Sequence, residues 1–314
     1  MTRSYRFFQL DVFTDKAFFG NPLAVFPEAE GITDKEMQDI AREMNLSETV
    51  FVLPSQQEKA LRRLRIFTPQ NELPMAGHPV VGTWNLLARL GVITDIDEDY
   101  TGVREIFHEL NIGVLPVEID IEWGVPRQVI MTQGKFVPGE IVSDENSLAK
   151  LTESLGLEAA DLNTGLPVQV METGIKSLAV PVTSLDALGR IKVNAGLLSD
   201  IYLSFGAIGA YVFTMETLDG LPSRTHARFF APGDNIPEDA ATGSAAGALS
   251  SYLVHHGAIN EKGEDGFHRF TIEQGDFMKR PSRIHVEIKG EKGNVELTRV
   301  GGQSVVILQG ELMI

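Results

Sequence analysis

The chain has 314 residues, 43% of them hydrophobic and 22% charged, and its 27 Lys plus Arg against 43 Asp plus Glu give a net charge of −16. That balance argues against nucleic acid or anionic membrane as a partner, since binding phosphate needs a basic face, and no stretch approaches the roughly 20 apolar residues of a membrane span. There is no Cys, which excludes disulfides, thiolate metal sites and cysteine nucleophiles or bases. A chain of this length can form two domains, and the expectation is a soluble, unexported, cytoplasmic protein.

In chain order, residues 6–13 and 22–27 read as strands around a turn at Phe19-Gly20-Asn21-Pro22. Thr33-Asp34-Lys35-Glu36 is a capping-box pattern that opens a helix through about Met44. Short strands follow at Glu48 to Leu53 and Arg63 to Phe67, then a helix over 78–90 that tolerates Pro79 in its first turn. Val117, Ile119 and Ile121 alternate with Glu118, Asp120 and Glu122, the pattern of a half-buried strand. Gly124-Val125-Pro126 breaks that pattern, and a domain boundary is placed there, giving domains of 1–124 and 125–314, with the final C-terminal strand able to pack back in the first. The second half continues with a strand near 127–133, a helix near 144–155, strands near 177–182 and 226–231, and a helix over 244–256. Another alternating strand at Ile284, Val286 and Ile288, and a turn over 289–294, lead into the closing strands.

Two of these stretches are edited copies of each other, 163 residues apart at their start. Arg65-Ile66-Phe67-Thr68-Pro69 precedes Gly77-His78, and Arg228-Phe229-Phe230-Ala231-Pro232 precedes Gly243-Ser244. Gly91 and Gly257 each stand 14 residues after the opening glycine, which predicts two helices of one length, each stopped by glycine. Both helices are apolar on most sides, and a helix of that kind is enclosed. The fold class is therefore α+β, with two pseudo-symmetric domains, each a barrel-like sheet wrapped around a central helix. The cleft between such domains would hold two helix N-termini, each suited to an anion; the negative net charge does not exclude a small anionic substrate.

Glycine at these helix starts lets a ligand approach the backbone amides, so Gly77, Gly243 and Ser244 are candidate substrate contacts; for either turn alone, plain helix capping is the ordinary reading. His78 at the mouth of its helix can donate a hydrogen bond or act as a general acid or base. Asp239, just before the second glycine turn, can orient a substrate amine, although an acid there also complements the helix dipole. Glu48 enters a short apolar strand; burial would suit it to moving protons, whereas an edge-strand glutamate facing water is the commoner arrangement. The His255-His256 pair sits at a helix C-terminus, where cations are favoured. No His pair has metalloprotease spacing, and no metal site is assigned. Thr242-Gly243-Ser244 is similar to the Asp-Thr-Gly-Ser of aspartic proteases, but Ala241 stands where the Asp is needed.

Taken together, several segments resemble the phenazine-biosynthesis PhzF-like family, within the diaminopimelate-epimerase-like fold. They are Asp11-Val12-Phe13-Thr14, Gly20-Asn21-Pro22-Leu23-Ala24-Val25, Leu46-Ser47-Glu48-Thr49-Val50-Phe51-Val52, Phe67-Thr68-Pro69 with Glu72-Leu73-Pro74 and Gly77-His78-Pro79, Glu238-Asp239-Ala240-Ala241-Thr242-Gly243-Ser244-Ala245, Gln274-Gly275 with Arg280-Pro281-Ser282, and Gly301-Gly302-Gln303. The resemblance spans almost the whole chain. It implies an active site between two domains, a homodimer, and isomerisation of a dihydro-hydroxyanthranilate or a similar small cyclic or unsaturated acid without a cofactor. By motif, Glu48 is implied as the proton shuttle, with His78 and Asp239 as its polar partners. Related epimerases use two cysteines as paired acid and base; the matching positions here are Ala76 and Thr242, so a two-thiol mechanism is not expected. Ala240 and Val80 depart from the Pro and Thr frequent in the family. The rival reading is a non-catalytic small-acid binding or regulatory protein of the same fold.

Overall fold

A computed structural model describes residues 2–94 and 96–314. Strands with a few helices make it α+β, and the chain forms two compact units: Met1–Thr132 with Gly301–Ile314, and Gln133–Val300. The Trp123-Gly124 turn, where the sequence places a boundary, joins two strands within the first unit.

The first unit contains β1 (Ser4–Val12), β2 (Asn21–Phe26), α1 (Asp34–Met44), β3 (Glu48–Leu53), β4 (Arg62–Phe67), β5 (Glu72–Leu73), α2 (Gly77–Arg89), β6 (Gly102–Leu110), β7 (Gly113–Glu122) and β8 (Val125–Thr132). The capping box that opens α1 is formed: the Thr33 hydroxyl accepts from the Glu36 amide, and the Glu36 carboxylate accepts from the Thr33 amide at 2.8 Å. The second unit contains β9 (Val137–Ile141), α3 (Glu145–Leu155), β10 (Gln169–Glu172), β11 (Lys176–Pro181), α4 (Leu185–Arg190), α5 (Ala195–Ser204), β12 (Ala210–Thr214), β13 (Ser223–Ala231), β14 (Ile236–Asp239), α6 (Gly243–His255), β15 (Phe267–Gln274) and β16 (Ser282–Glu291). β17 (Asn294–Gly302) carries the chain back, and β18 (Ser304–Met313) pairs antiparallel with β1 in the first unit.

The two units repeat one pairing scheme. In the first, β2 runs parallel to β3, β3 antiparallel to β4, β4 antiparallel to β5 and parallel to β6, and β6 antiparallel to β7. In the second, β11, β12, β13, β14, β15 and β16 pair in the same senses and the same order. A parallel partner needs a crossover connection; the β4-to-β6 crossover contains α2 and the β13-to-β15 crossover contains α6.

Side chains repeat as well. Arg65 grips Glu72 with two hydrogen bonds of 2.8 and 2.7 Å, and Arg228 grips Glu238 with two of 2.8 Å. Such forked pairs fix geometry as well as charge. Each ties the strand before a central helix to the strand before that. Glu109 accepts hydrogen bonds from Ser55 and the Gln56 amide, closing the loop after β3; Glu273 accepts from the Leu218 and Asp219 amides, closing the loop after β12. Burial alone would push Glu273 up, but the His226 ring and those two amides outweigh it and hold the carboxyl down at about 2.

Both central helices are 13 residues long and enclosed: every residue from His78 to Leu87 is buried in α2, as are Gly243 and all from Ala245 to Val254 in α6. Each ends alike. Gly91 and Gly257 both take φ of 72°, and the amides of Val92 and Ala258 reach back to the carbonyls of Leu87 and Leu253, the Schellman ending that glycine permits. Strands β1, β2, β3, β8 and β18 pack on α2, so its residues have little room. A Cβ on Gly82 would stand 2.7 Å from atoms of both Val12 and Leu23, which are themselves fully buried. Gly82→Ala therefore sets a helix-propensity gain of about 1 kcal/mol against overpacking of about 1–3 kcal/mol. Overpacking should win, and chemical denaturation should read a net loss of up to about 2 kcal/mol.

Candidate active site

The residues singled out from sequence fall into two groups, one per unit. In the first, Glu48 opens β3 and His78 lies in the first turn of α2. The structure brings them together: Glu48 Oε2 lies 3.1 Å from His78 Nε2, and their side chains are only 15% and 7% exposed. The two atoms are within ion-pair distance without being lined up as a hydrogen bond. The commoner expectation for Glu48, a carboxylate facing water, is thus overturned. Leu23 of β2 is its parallel neighbour, Val50 to Val52 beyond it are buried, and α2 packs on β3, so the strand end carrying Glu48 is drawn inward.

Burial disfavours the charged form of His78 and draws its pKa down to about 3, so its ring is neutral at pH 7. A neutral imidazole offers one donor and one acceptor nitrogen. What results is a largely sheltered carboxyl group against a neutral ring, at the start of a helix whose N-cap, Ala76, has no side chain able to cap it. The orphan amides of that turn belong to Gly77 and His78, because Pro79 has none.

In the second unit, β14 ends at Asp239 and α6 begins at Gly243, with Thr242 as an N-cap whose side chain makes no capping bond. The Thr242 hydroxyl is turned the other way and donates to Asp239 Oδ2 at 2.6 Å. Ser244 is half-buried in the first turn, and Gly243 is buried. Helix starts without side-chain caps are what the plain capping reading of Gly77 and Gly243 does not provide for; both turns keep backbone donors and the positive end of the dipole.

Sequence reasoning missed the residues that build the second turn. Gln274, fully buried at the end of β15, bonds to both Thr242 and the Asp239 carbonyl. Gln133 donates to the Gly243 carbonyl at 2.9 Å and accepts from Thr173 at 2.7 Å. Gly275, with φ of 83°, lets the chain pass close to Ala240: a Cβ there would meet the Ala240 carbonyl at 2.6 Å. Ser282 donates to that same carbonyl. The Gln274-Gly275 and Arg280-Pro281-Ser282 segments are visible in the sequence as motifs, but only the fold shows that they converge on the Asp239–Thr242 turn. Among the described residues, no three of His, Asp or Glu gather as a metal-binding group, and no helix is long and apolar enough to cross a membrane.

The pH response of the buried histidine has a definite sign. The unfolded chain protonates His78 near pH 6.5 and the folded chain only near 3, so this residue's contribution to stability is complete above about pH 6.5 and is lost as pH falls toward about 3. Melting temperatures of wild type and His78→Gln, followed from pH 7 to pH 4, should show a shallower decline in the variant. Superimposable slopes would take His78 out of the acid response.

A family model described as phenazine biosynthesis-like protein matches residues 10–310. An uncharacterized isomerase of Clostridium acetobutylicum is 33% identical over 314 residues, covering 100% of each chain. The trans-2,3-dihydro-3-hydroxyanthranilate isomerase of Pseudomonas aeruginosa is 33% identical over 306 residues, covering 98% of each chain. Among solved structures, the phenazine biosynthesis protein of the PhzF family from Bacillus anthracis superposes with a TM-score of 0.86 at 28% identity, over 99% of this chain and 100% of that one. The resemblance carried by the motifs is borne out over the full length, and the chain belongs to the phenazine biosynthesis-like, or PhzF, family and is an isomerase of that type.

Proposed function

We propose that the protein moves a proton between two carbons of a small cyclic or unsaturated carboxylic acid, with Glu48 as the single acid–base group and no cofactor. The observation that supports this most is the Glu48–His78 contact: a sheltered carboxyl group 3.1 Å from an imidazole that burial keeps neutral. The carboxylate takes a proton from the substrate carbon and becomes the acid. The electron pair of that C–H bond shifts into the conjugated system, and the acid returns the proton to another carbon. One base serving both steps delivers the proton to the face it came from.

His78 packs against Glu48, shelters it and adds no charge of its own. Asp239 orients the substrate, as an acceptor for an amine or hydroxyl. The amides at Gly77, Gly243 and Ser244 bind anionic oxygen, as helix starts do. With Ala76 and Thr242 as the two helix N-caps, neither helix turn presents a thiolate for a two-base racemisation. The substrate is a relative of trans-2,3-dihydro-3-hydroxyanthranilate, the compound named for the Pseudomonas aeruginosa isomerase, and the working form is a homodimer in the cytoplasm.

Proton NMR with that compound in D₂O tests the reading. Isomerisation is expected for wild type, with deuterium in the product to the extent that the Glu48 acid exchanges with solvent before it returns the proton. Glu48→Gln should lose at least 10³-fold in kcat, a loss on the scale of removing an acid–base group, while its melting temperature stays close to wild type. Turnover of the same rate in the variant would remove Glu48 from the mechanism. A wild type inert toward this acid but active on another ring or chain acid would relocate the substrate and leave the shuttle standing.

A further inference from the structure

The second helix turn contains a hydrogen-bond chain whose direction can be derived bond by bond. Gln274 lies at its centre, fully buried. Its Oε1 is 3.1 Å from the Thr242 amide nitrogen, and its Nε2 is 2.8 Å from the Asp239 carbonyl oxygen. A backbone amide can only donate and a backbone carbonyl can only accept. These two contacts therefore fix which end of the Gln274 amide is oxygen and which is nitrogen; the flipped amide would set donor against donor and acceptor against acceptor. Tyr211, buried, donates its hydroxyl to the same Oε1 at 2.7 Å. Burial, and then the charge of nearby Asp239, push the Tyr211 hydroxyl well above its ordinary range, so it stays protonated and remains a donor.

The second contact of Gln274 Nε2 is Thr242 Oγ1, at 3.1 Å. That bond supplies a hydrogen to the Thr242 oxygen. The hydroxyl's own single hydrogen is then directed to its other close partner, Asp239 Oδ2, at 2.6 Å. The donor sense runs from Gln274 through Thr242 to Asp239 and ends on a carboxylate oxygen that must accept. A hydrogen bond donated to an ionised carboxylate is among the short, strong class.

The repeat indicates what this chain of bonds is for. By register, Asp239 corresponds to Leu73: Phe229 pairs with Asp239 as Ile66 pairs with Leu73. Thr242 and Ala76 are the two N-caps. Glu273 and Glu109 close equivalent loops, so Gln274 corresponds to Leu110. At all three positions the first unit has an apolar residue, yet α2 starts, runs and stops as α6 does. The scaffold does not need the polar chain; the second unit alone has it.

We propose that Thr242, oriented by Gln274, is a positioning residue that holds Asp239 ionised and accepting, with one carboxylate oxygen engaged and the carboxyl plane fixed for substrate. This rests on the role proposed for Asp239. It also gives a use to the position where related epimerases have a catalytic thiol: the hydroxyl here directs a carboxylate and exchanges no proton with substrate.

The test is a carbon NMR titration of protein labelled with ¹³C-aspartate, the Asp239 resonance being assigned by its loss in Asp239→Asn. Thr242→Val removes the donor and keeps the shape; the Asp239 titration should move to higher pH. With trans-2,3-dihydro-3-hydroxyanthranilate, kcat/KM should fall on the order of tenfold. Thr242→Ser, which keeps the hydroxyl, should restore both. Gln274→Met should shift the titration in the same direction as Thr242→Val; if it does not fold, the threonine pair still decides. An Asp239 titration that is the same in wild type and in folded Thr242→Val overturns the proposal, and a lowered melting temperature with that unmoved titration marks a merely structural hydroxyl. The titration needs no substrate, so failure of the function proposed for Asp239 is separately visible as full turnover by Asp239→Asn.

Discussion

Enclosing an apolar helix within strands constrains everything else in each unit. A helix covered on all sides has no polar face to set its register, so its position has to be fixed at its ends. At the C-terminal end, Gly91 and Gly257 adopt the left-handed conformation and close the last turn on its own carbonyls. At the N-terminal end, the forked Arg65–Glu72 and Arg228–Glu238 pairs anchor the short strands that feed into the helices. Neither anchor uses the first amides of the helix, and neither N-cap side chain does. The fold holds its helix starts in place while leaving their donors to other partners.

Duplication shows which features belong to scaffold and which to chemistry. The pairing order, the Arg–Glu forks, the glutamates that close the loops after β3 and β12, and the glycine stops occur twice. The Glu48–His78 contact occurs in the first unit, and the Asp239–Thr242–Gln274 chain in the second. Features shared by both copies are explained by folding alone. The unshared polar groups are costly to bury and have no counterpart in the other copy's folding, so they are the ones to which the proposed chemistry is assigned.

Much of this organisation is legible in the sequence. The paired Arg-x-Phe segments and equal Gly-to-Gly spacings give the repeat, and the Thr33 box gives α1, because these signals act over a few residues. The position of Glu48 is not legible: whether a strand-edge carboxylate meets water or a helix depends on α2, 29 residues further along. Gln274 is hidden for the same reason. The three residues it bonds come from β12, β14 and the N-cap of α6, and the parallel β13–β15 pairing brings β15 beside them. The pairs that read easily are local; those on which the proposed chemistry rests are closed by long-range pairing.

The neutrality of His78 bears directly on the proposed chemistry. An imidazolium 3.1 Å from Glu48 would hold the carboxylate ionised and weaken it as a base. A neutral ring in the same place adds no such penalty, and the proposed cycle, in which the carboxyl gains and loses a proton, depends on that. Burial of the ring, which makes its contribution to stability fall in acid, is therefore what the proposed single-glutamate reaction relies on. In the second unit Asp239 receives a directed hydroxyl hydrogen from Thr242, which favours its charged form under the proposal. In the proposed reaction one carboxyl group changes its protonation state and the other stays an acceptor, which is the division of labour that a single-base isomerisation requires.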